Sequence, residues 1–333
     1  MSPENAQVLF FQHVKSRLQP HLALVEETAD LLNISHDSAY RRIRGEKPIS
    51  FEEIRKLCSH FKISLDQFLN LEKDAIIFSG QYGDNNLFNF EKYLESVLQN
   101  VQLMNSFETR EMYYLNKDIP LFHYFHFPEL AAFKCFFWMK TVLHYPLYAN
   151  KQFRMEEFIT ETILQTGQKL SEAYYALSSQ EIWNIENINS TIRQIEYYRN
   201  SGVFASPRDI FVIYESLQKT IDHIEHQAEL GYKFGINHTM GTRNATYKIY
   251  INEFILGDNT ILAVLGNVKI AYVNHSVLNY LVTRDPEFCE YTYRHIRNII
   301  TKSTLISEAG EKERRRFFNM IREKINARKN SLL

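Results

Sequence analysis

The sequence is poor in cysteine, glycine and proline, and it carries almost no net charge. Its 333 residues include 3 Cys, 11 Gly and 8 Pro, and 38 Lys and Arg stand against 39 Asp and Glu. The cysteines are far apart and form no CxxC pair, which argues against a disulfide framework and a structural zinc site. A formal net charge of -1 excludes a chain-wide polycation, so any contact with nucleic acid or an anionic membrane has to be local.

Long apolar runs and a secretory leader are missing as well. The longest apolar stretch, residues 131–139, is interrupted by Lys134 and falls short of the roughly 20 residues that a membrane helix needs. Residues 1–18 have neither a basic start nor an apolar core, so we expect no signal peptide. These absences predict a cytoplasmic protein without membrane contact.

The familiar signatures of catalysis are also absent. The sequence contains no GxSxG, Walker A, GxGxxG or HExxH spacing. Two HxxH pairs occur, His123 with His126 and His223 with His226, but nothing specifies the further ligands that a metal site needs. We therefore predict no enzyme activity, no cofactor and no metal, and an enzyme with an appended DNA reader is the third choice of function.

The first seventy residues, in contrast, carry clear signals for five short helices. Ser35 can cap a helix that ends at Gly45, and Ser50 with Glu53 has the spacing of a capping box. Residues 1–72 are therefore predicted to form a compact all-helical domain. The polar stretch that follows, residues 73–89, contains SGQYGDNN and predicts a linker, and residues 90–333 are predicted to form a second, larger domain.

Residues 25–45, VEETADLLNISHDSAYRRIRG, resemble the helix-turn-helix of the phage-repressor and Cro-like family. Ala29 is the small residue that lets two helices cross closely, Ala39 faces the first of them, and Asn33 tolerates the left-handed turn usually filled by Gly. The resemblance extends over residues 8–70. It implies a five-helix, lambda-repressor-like domain that binds double-stranded DNA.

One position departs from the pattern of the family. Arg42 stands where the family usually has an aliphatic side chain, and Ile43 is the better core candidate. Carried over from the family, the residues expected to touch DNA are Ser35, His36, Asp37, Tyr40 and Arg41, with Arg44 and Lys47 at the phosphates.

The chemistry of these side chains suits base and phosphate contacts. Arg41 can donate two hydrogen bonds to guanine, and Asp37 can accept from cytosine or support the helix N-terminus. Residues 1–72 hold nine Lys and Arg against ten Asp and Glu, so only the run RRIRGEK is positive. We expect modest non-specific affinity and a reliance on dimerisation or on the shape of the DNA.

The larger domain is predicted to be α-rich (α+β), within a mainly α chain. Ser178 with Glu181, and Ser206 before Pro207, predict two helices that form an antiparallel hairpin. The other expected helices cover residues 275–283, 286–302 and 308–328. A small antiparallel sheet is predicted from residues 247–256, 261–266 and 270–274. Strands are also expected at residues 111–115 and 121–127, with helix left open as an alternative.

Two segments of this domain allow two interpretations each. The aromatic-rich residues 123–140 fit either a plain core or a pocket for an apolar or aromatic effector. Residues 311–329 carry eight Lys and Arg against three Asp and Glu, and they fit either an amphipathic helix with solvated charges or a contact to DNA flanks.

Together these patterns predict a sequence-specific transcriptional regulator. Its C-terminal domain is expected to form the homodimer contact, through the two long helices or the C-terminal helix, and to sense a small-molecule ligand. The alternative is an interaction or scaffold protein that docks a protein partner through the helix-turn-helix.

Overall fold

The computed structural model divides the chain into two compact units. Unit 1 is Met1–Ile77 and unit 2 is Phe78–Leu333. The division falls inside the predicted linker, most of which lies outside the described residues. The residues that the structure describes are 5–15, 18, 23–61, 63–69, 76–80, 89–155, 160–236, 245–254 and 257–332.

Unit 1 is helical throughout its described part. Its helices are α1 (Ala6–Lys15), α2 (Leu24–Leu32), α3 (His36–Ile43), α4 (Phe51–Phe61) and α5 (Leu65–Leu69). They enclose a small apolar core of Phe10, Phe11, Val14, Leu32, Leu57 and Ile63. Ala29 and Ala39 are both buried, which is consistent with a close crossing of α2 and α3.

The turn between α2 and α3 follows the local signals. Asn33 takes the left-handed conformation with φ 54°, and Ser35 caps α3 by accepting a hydrogen bond from the Ser38 amide at 3.3 Å. Gly45 has φ 75° just beyond α3, a conformation that side chains with a Cβ rarely adopt. The start and the end of α3 are therefore set by residues within the segment itself.

Unit 2 combines helices with a seven-stranded sheet. Its helices are α6 (Phe90–Asn105), α7 (Pro128–Phe137), α8 (Glu161–Tyr175), α9 (Asn187–Asn200), α10 (Pro207–Leu230), α11 (Pro286–Thr301) and α12 (Glu311–Lys329). Its strands are β1 (Arg110–Leu115), β2 (Ser179–Trp183), β3 (Tyr247–Ile251), β4 (Thr260–Leu265), β5 (Val268–Asn274), β6 (Tyr280–Thr283) and β7 (Thr304–Leu305).

The strand order is β6-β5-β4-β1-β2-β3-β7. The pairs β1-β2 and β2-β3 are parallel, and the remaining pairs are antiparallel. The chain is thus α+β, and the expectation of a small antiparallel sheet in a mainly α chain is wrong. It missed β2 and the parallel pairing, which joins segments that are far apart in sequence.

The sheet forms the middle layer of unit 2. Along β1, Met112 and Tyr114 belong to the large core on the side of α6 to α10, whereas Tyr113 and Leu115 belong to a smaller core against α11. This alternation is the period-2 pattern of a strand that is covered on both faces.

The first of the two predicted long helices, residues 179–201, is correct only in its C-terminal part. Ser178 and Glu181 do not form a capping box, because residues 179–183 are a fully buried strand and the helix begins only at Asn187. The spacing of Ser and Glu is satisfied by chance in a strand that is buried on both faces. A buried strand lacks the polar alternation that would identify it.

Three smaller expectations are corrected as well, and the choice between strand and helix at residues 121–127 is decided. Residues 121–126 form a 3-10 helix, and residues 280–283 form a strand in place of the end of a helix. Strand β3 pairs with β2 and β7, so it is no neighbour of β4 in an antiparallel meander. Finally, α10 has its most extensive helix contact with α12, and the expected hairpin with the preceding helix is minor.

Candidate functional site

Helix α3 and the turn after it present the predicted DNA-facing side chains together. The seven residues are all exposed: Ser35, His36, Asp37, Tyr40, Arg41, Arg44 and Lys47. On the opposite side of the helix, Ala39 and Arg42 are buried at 0% and 7% exposure. The helix therefore has one face in contact with unit 1 and one polar face open to solvent.

Arg42 takes the place of the aliphatic residue that the resemblance leads one to expect. Its guanidinium donates to both carboxylate oxygens of Glu53, at 3.2 and 2.7 Å, and to the Ser38 hydroxyl at 2.6 Å. Ile43, the expected core candidate, is partly buried against the core beside it. Arg42 is therefore buried, whereas the neighbouring Arg41 is exposed.

Glu53 connects this arginine to the start of α4. Its carboxylate accepts from the Ser50 amide at 2.9 Å, while the Glu53 amide donates to the Ser50 hydroxyl at 3.3 Å, and this completes the predicted capping box. Burial acts to raise the pKa of Glu53, but hydrogen bonds from Arg42 and Ser50 outweigh it and lower that pKa. A charged Glu53 therefore fixes α3 to α4.

A glutamine of α1 holds the turn that carries Arg44 and Lys47. The Gln7 amide donates to the carbonyls of Arg42 and Lys47, at 2.7 and 2.8 Å, and its oxygen accepts from the Ile49 amide at 3.0 Å. Sequence reasoning missed this residue. No local pattern connects Gln7 to a turn some forty residues later.

The exposed face is locally cationic. Arg41, Arg44 and Lys47 supply three positive groups, and the Arg44 guanidinium lies 5.5 Å from the centre of the Tyr40 ring. Arg44 also pairs with exposed Glu46 at 3.3 Å, a surface contact that contributes little to stability. The arrangement offers charged donors that can bind phosphate oxygens or the acceptor edge of guanine.

The two HxxH pairs of unit 2 lie partly together. The rings of His126 and His223 are 4.7 Å apart, and His123 is 5.8 Å from His126. His226 is exposed and lies 3.6 Å from Glu229. Within the described ranges, no three His, Cys, Asp or Glu side chains are grouped so that they could hold a metal ion.

His126 and His223 are partly buried and each makes a hydrogen bond, whereas His123 is fully buried and its Nε2 lies 3.7 Å from Glu181 Oε1. His126 Nε2 bonds the Tyr175 hydroxyl at 2.9 Å, and His223 Nε2 lies 2.8 Å from the Phe234 carbonyl oxygen. Burial lowers the pKa of His223 to about 4 and that of His126 well below its ordinary value. Both rings are therefore neutral near neutral pH.

A pH dependence of stability follows from His223. Between about pH 6.5 and 4 the unfolded chain binds a proton that the folded one does not, so stability falls as the pH falls through this window. We expect His223→Gln to lose about 2 kcal/mol less stability between pH 7.5 and 4.5 than the unaltered chain, measured by urea unfolding. His226→Gln, at an exposed site on the same helix, is the matched control and should behave like the unaltered chain. Identical pH dependence in all three proteins would contradict the assignment.

Three buried charged residues went unrecognised in the sequence. Glu181 accepts hydrogen bonds from Tyr174, from Trp183 at 2.6 Å and from Tyr247 at 3.1 Å. Lys233 donates to the Ser179 hydroxyl at 2.5 Å, and burial lowers its pKa to about 7. The third, Lys134, is fully buried although it interrupts the longest apolar run. Such pairings are visible only once distant segments meet.

The aromatic-rich segment contributes both to the core and to the wall of a cavity. Phe133 and Phe136 are fully buried core residues, whereas Tyr124 and Trp138 also line a cavity of about 380 Å³. The cavity lies within unit 2, beside β1.

The C-terminal helix α12 is amphipathic. It buries Phe317, Ile321 and Ile325. On its polar side, Arg322 pairs with Asp222 and Glu225 of α10. The interpretation as a packed amphipathic helix accounts for these residues without DNA.

Comparisons with protein families, with curated proteins and with solved structures found no match to this chain. Among the residues described, no helix is long and apolar enough to cross a membrane.

Proposed function

We propose that this chain is a sequence-specific DNA-binding transcriptional regulator and that α3 is its recognition helix. The observation that supports this most is the two-sided character of α3. Its polar face, including Asp37, Tyr40 and Arg41, is exposed, whereas Ala39 and Arg42 anchor the other face. A helix held this way can enter the major groove without unfolding its own domain.

The proposed contacts follow from position and charge. Arg41 donates two hydrogen bonds to a guanine, while Asp37 accepts from a cytosine or supports the N-terminus of α3. Ser35, His36 and Tyr40 complete the surface towards the bases. Arg44 and Lys47, on the turn that Gln7 holds, bind phosphates and fix the register of the helix on the duplex.

We also propose that the regulator acts as a homodimer. One reader with three exposed cations on and after α3 contacts few phosphates, and a second copy doubles both base and phosphate contacts. The apolar stripes of the long helices do not supply the contact. Ile213 and Leu217 of α10, and Phe317 and Ile321 of α12, are already buried within unit 2.

Selection of binding sites from random duplex DNA tests the proposal directly. We expect the full-length protein to enrich an inverted repeat whose half-sites lie about one helical turn, 10 base pairs, apart. In gel shifts, binding to this site should weaken clearly between 50 and 200 mM salt, because phosphate contacts release counterions. Enrichment of a single half-site would contradict the proposed homodimer. If no sequence is enriched, the proposal of a transcriptional regulator is contradicted and the protein-docking alternative is favoured.

A further inference from the structure

Unit 2 contains a cavity of about 380 Å³ between α6 and the sheet. Side chains at helical spacing on α6, among them Tyr93, Val97 and Val101, form one wall, and Met112 and Tyr114 of β1 contribute to the opposite one. Protein interiors seldom leave voids larger than a water molecule, whereas small-molecule sites span about 300–1,000 Å³. The size of this cavity therefore suits a small-molecule ligand.

The lining of the cavity is mainly apolar, and nearly all of its polar side chains are uncharged, among them Ser96, Asn100 and Asn259. The hydroxyls of Tyr114 and Tyr280 lie 3.2 Å apart in its wall, and burial raises the pKa of both, so they remain protonated. Asp118 is the one charged side chain among the described residues that line the cavity. The remaining lining is mostly aliphatic and aromatic.

The charge of Asp118 is balanced from behind the wall. The ammonium of Lys134 lies 3.4 Å from Asp118 Oδ2, and it also lies 4.5 Å from the centre of the Tyr124 ring. Lys134 is fully buried and is not part of the lining. Because the pair is neutral as a whole, a charged ligand would enter the cavity without a counter-charge, which is costly in an apolar site.

Asp118 still has room for a further hydrogen bond. Its Oδ1 accepts from the Ile119 amide at 2.8 Å and from the Tyr124 hydroxyl at 3.0 Å. Its Oδ2 accepts from Lys134 alone among the described contacts, at the long distance of 3.4 Å. A carboxylate oxygen can accept two hydrogen bonds, so Oδ2 can take a donor from the cavity side.

We propose that this cavity binds an uncharged, mainly apolar small molecule that donates one N–H or O–H group to Asp118. The apolar walls bury the body of the ligand, and Asp118 with the two tyrosine hydroxyls orients its polar end. This inference goes beyond DNA binding. Its test contains no DNA, so either proposal can fail without the other.

Titration of the full-length protein with N-phenyl-1-naphthylamine tests the site, because this fluorescent probe is uncharged and has a single N–H. We expect saturable binding of one probe per chain. Decan-1-ol, decanoate and decylammonium, which share a tail and differ in charge, are then used as competitors. The alcohol should displace the probe at a concentration at least tenfold lower than either ion.

Two substitutions on α6 locate the binding. Val97→Phe fills the cavity and should weaken binding of the probe at least tenfold. Leu103→Phe adds the same ring at an exposed position of the same helix, 46% accessible, and should leave binding unchanged. Circular dichroism melting confirms that both variants fold.

A third substitution tests the charge argument independently of cavity volume. Asp118→Asn leaves the Lys134 ammonium without its carboxylate partner. The affinity of the variant for decanoate should therefore rise at least tenfold relative to its affinity for decan-1-ol. Absence of saturable probe binding, or equal binding by the two Phe variants, would overturn the site. Strongest displacement by decanoate or decylammonium from the unaltered protein would overturn the ligand class.

Discussion

Arg41→Ala is expected to weaken binding to the selected DNA site about ten- to a hundredfold, while unit 1 stays folded. The Arg41 side chain is exposed and makes no hydrogen bond or ion pair among the contacts described for this unit, so its removal costs no internal interaction. A bidentate contact between arginine and guanine contributes about 1–3 kcal/mol of discrimination, which corresponds to this loss. Gel shifts with the selected duplex and a scrambled one measure the effect.

The matched control for this variant is Arg315→Ala. Arg315 is also exposed, pairs with Glu311 on α12 and belongs to unit 2. Its replacement by alanine changes the net charge by the same amount. We expect binding of this control to remain within about twofold of the unaltered protein. Unchanged affinity in Arg41→Ala, or an equal loss in Arg315→Ala, would refute the assignment of α3 as the recognition helix.

Arg42→Ala, unlike Arg41→Ala, is expected to destabilise unit 1. Its DNA binding should be lost as a consequence of this unfolding. The Arg42 and Glu53 side chains are 8% and 19% exposed, and removal of one partner leaves a poorly solvated charge. Breaking such a pair costs about 3–5 kcal/mol, a large share of the stability of a small domain. Amide exchange of the full-length chain, read by mass spectrometry in peptides from α3 and α4, should accelerate strongly.

The double variant Arg42→Met with Glu53→Gln separates charge from packing. Methionine restores an apolar side chain at the position, and glutamine keeps the capping box with Ser50 without a charge. We expect slow exchange in α3 to return in this variant, since replacing a buried pair by apolar groups is often neutral. Exchange in Arg42→Ala as slow as in the unaltered protein would show that the pair does not hold α3.

The turn and the helix caps of unit 1 could be predicted because their signals are local. The left-handed turn at Asn33, the cap at Ser35 and the capping box of Ser50 with Glu53 each involve residues within four positions of one another. Their geometry is nearly independent of the rest of the chain. The sequence did not reveal the partner of Arg42. An arginine in a position that is usually apolar can be interpreted only when the carboxylate that binds it, here that of Glu53, is known.

Unit 2 was harder to predict because its sheet joins distant segments. Glu181 had the spacing of a helix cap, yet it lies in a strand between β1 and β3, where Tyr174 and Tyr247 satisfy its carboxylate. Lys134 similarly seemed only to interrupt an apolar run. Its partners Asp118 and Gln194 come from other elements, and so does most of the cavity wall.

The side-chain amide of Gln7 adds α1 to the part of the chain that the proposed DNA contact requires. Arg44 and Lys47 follow α3 directly, but the backbone that carries them is bonded to a side chain near the beginning of α1. A graft of residues 25–45 onto another scaffold would carry the two helices and leave their basic turn untethered. The smallest portable form of the proposed DNA reader therefore starts at α1, because the side-chain amide of Gln7 holds the basic turn.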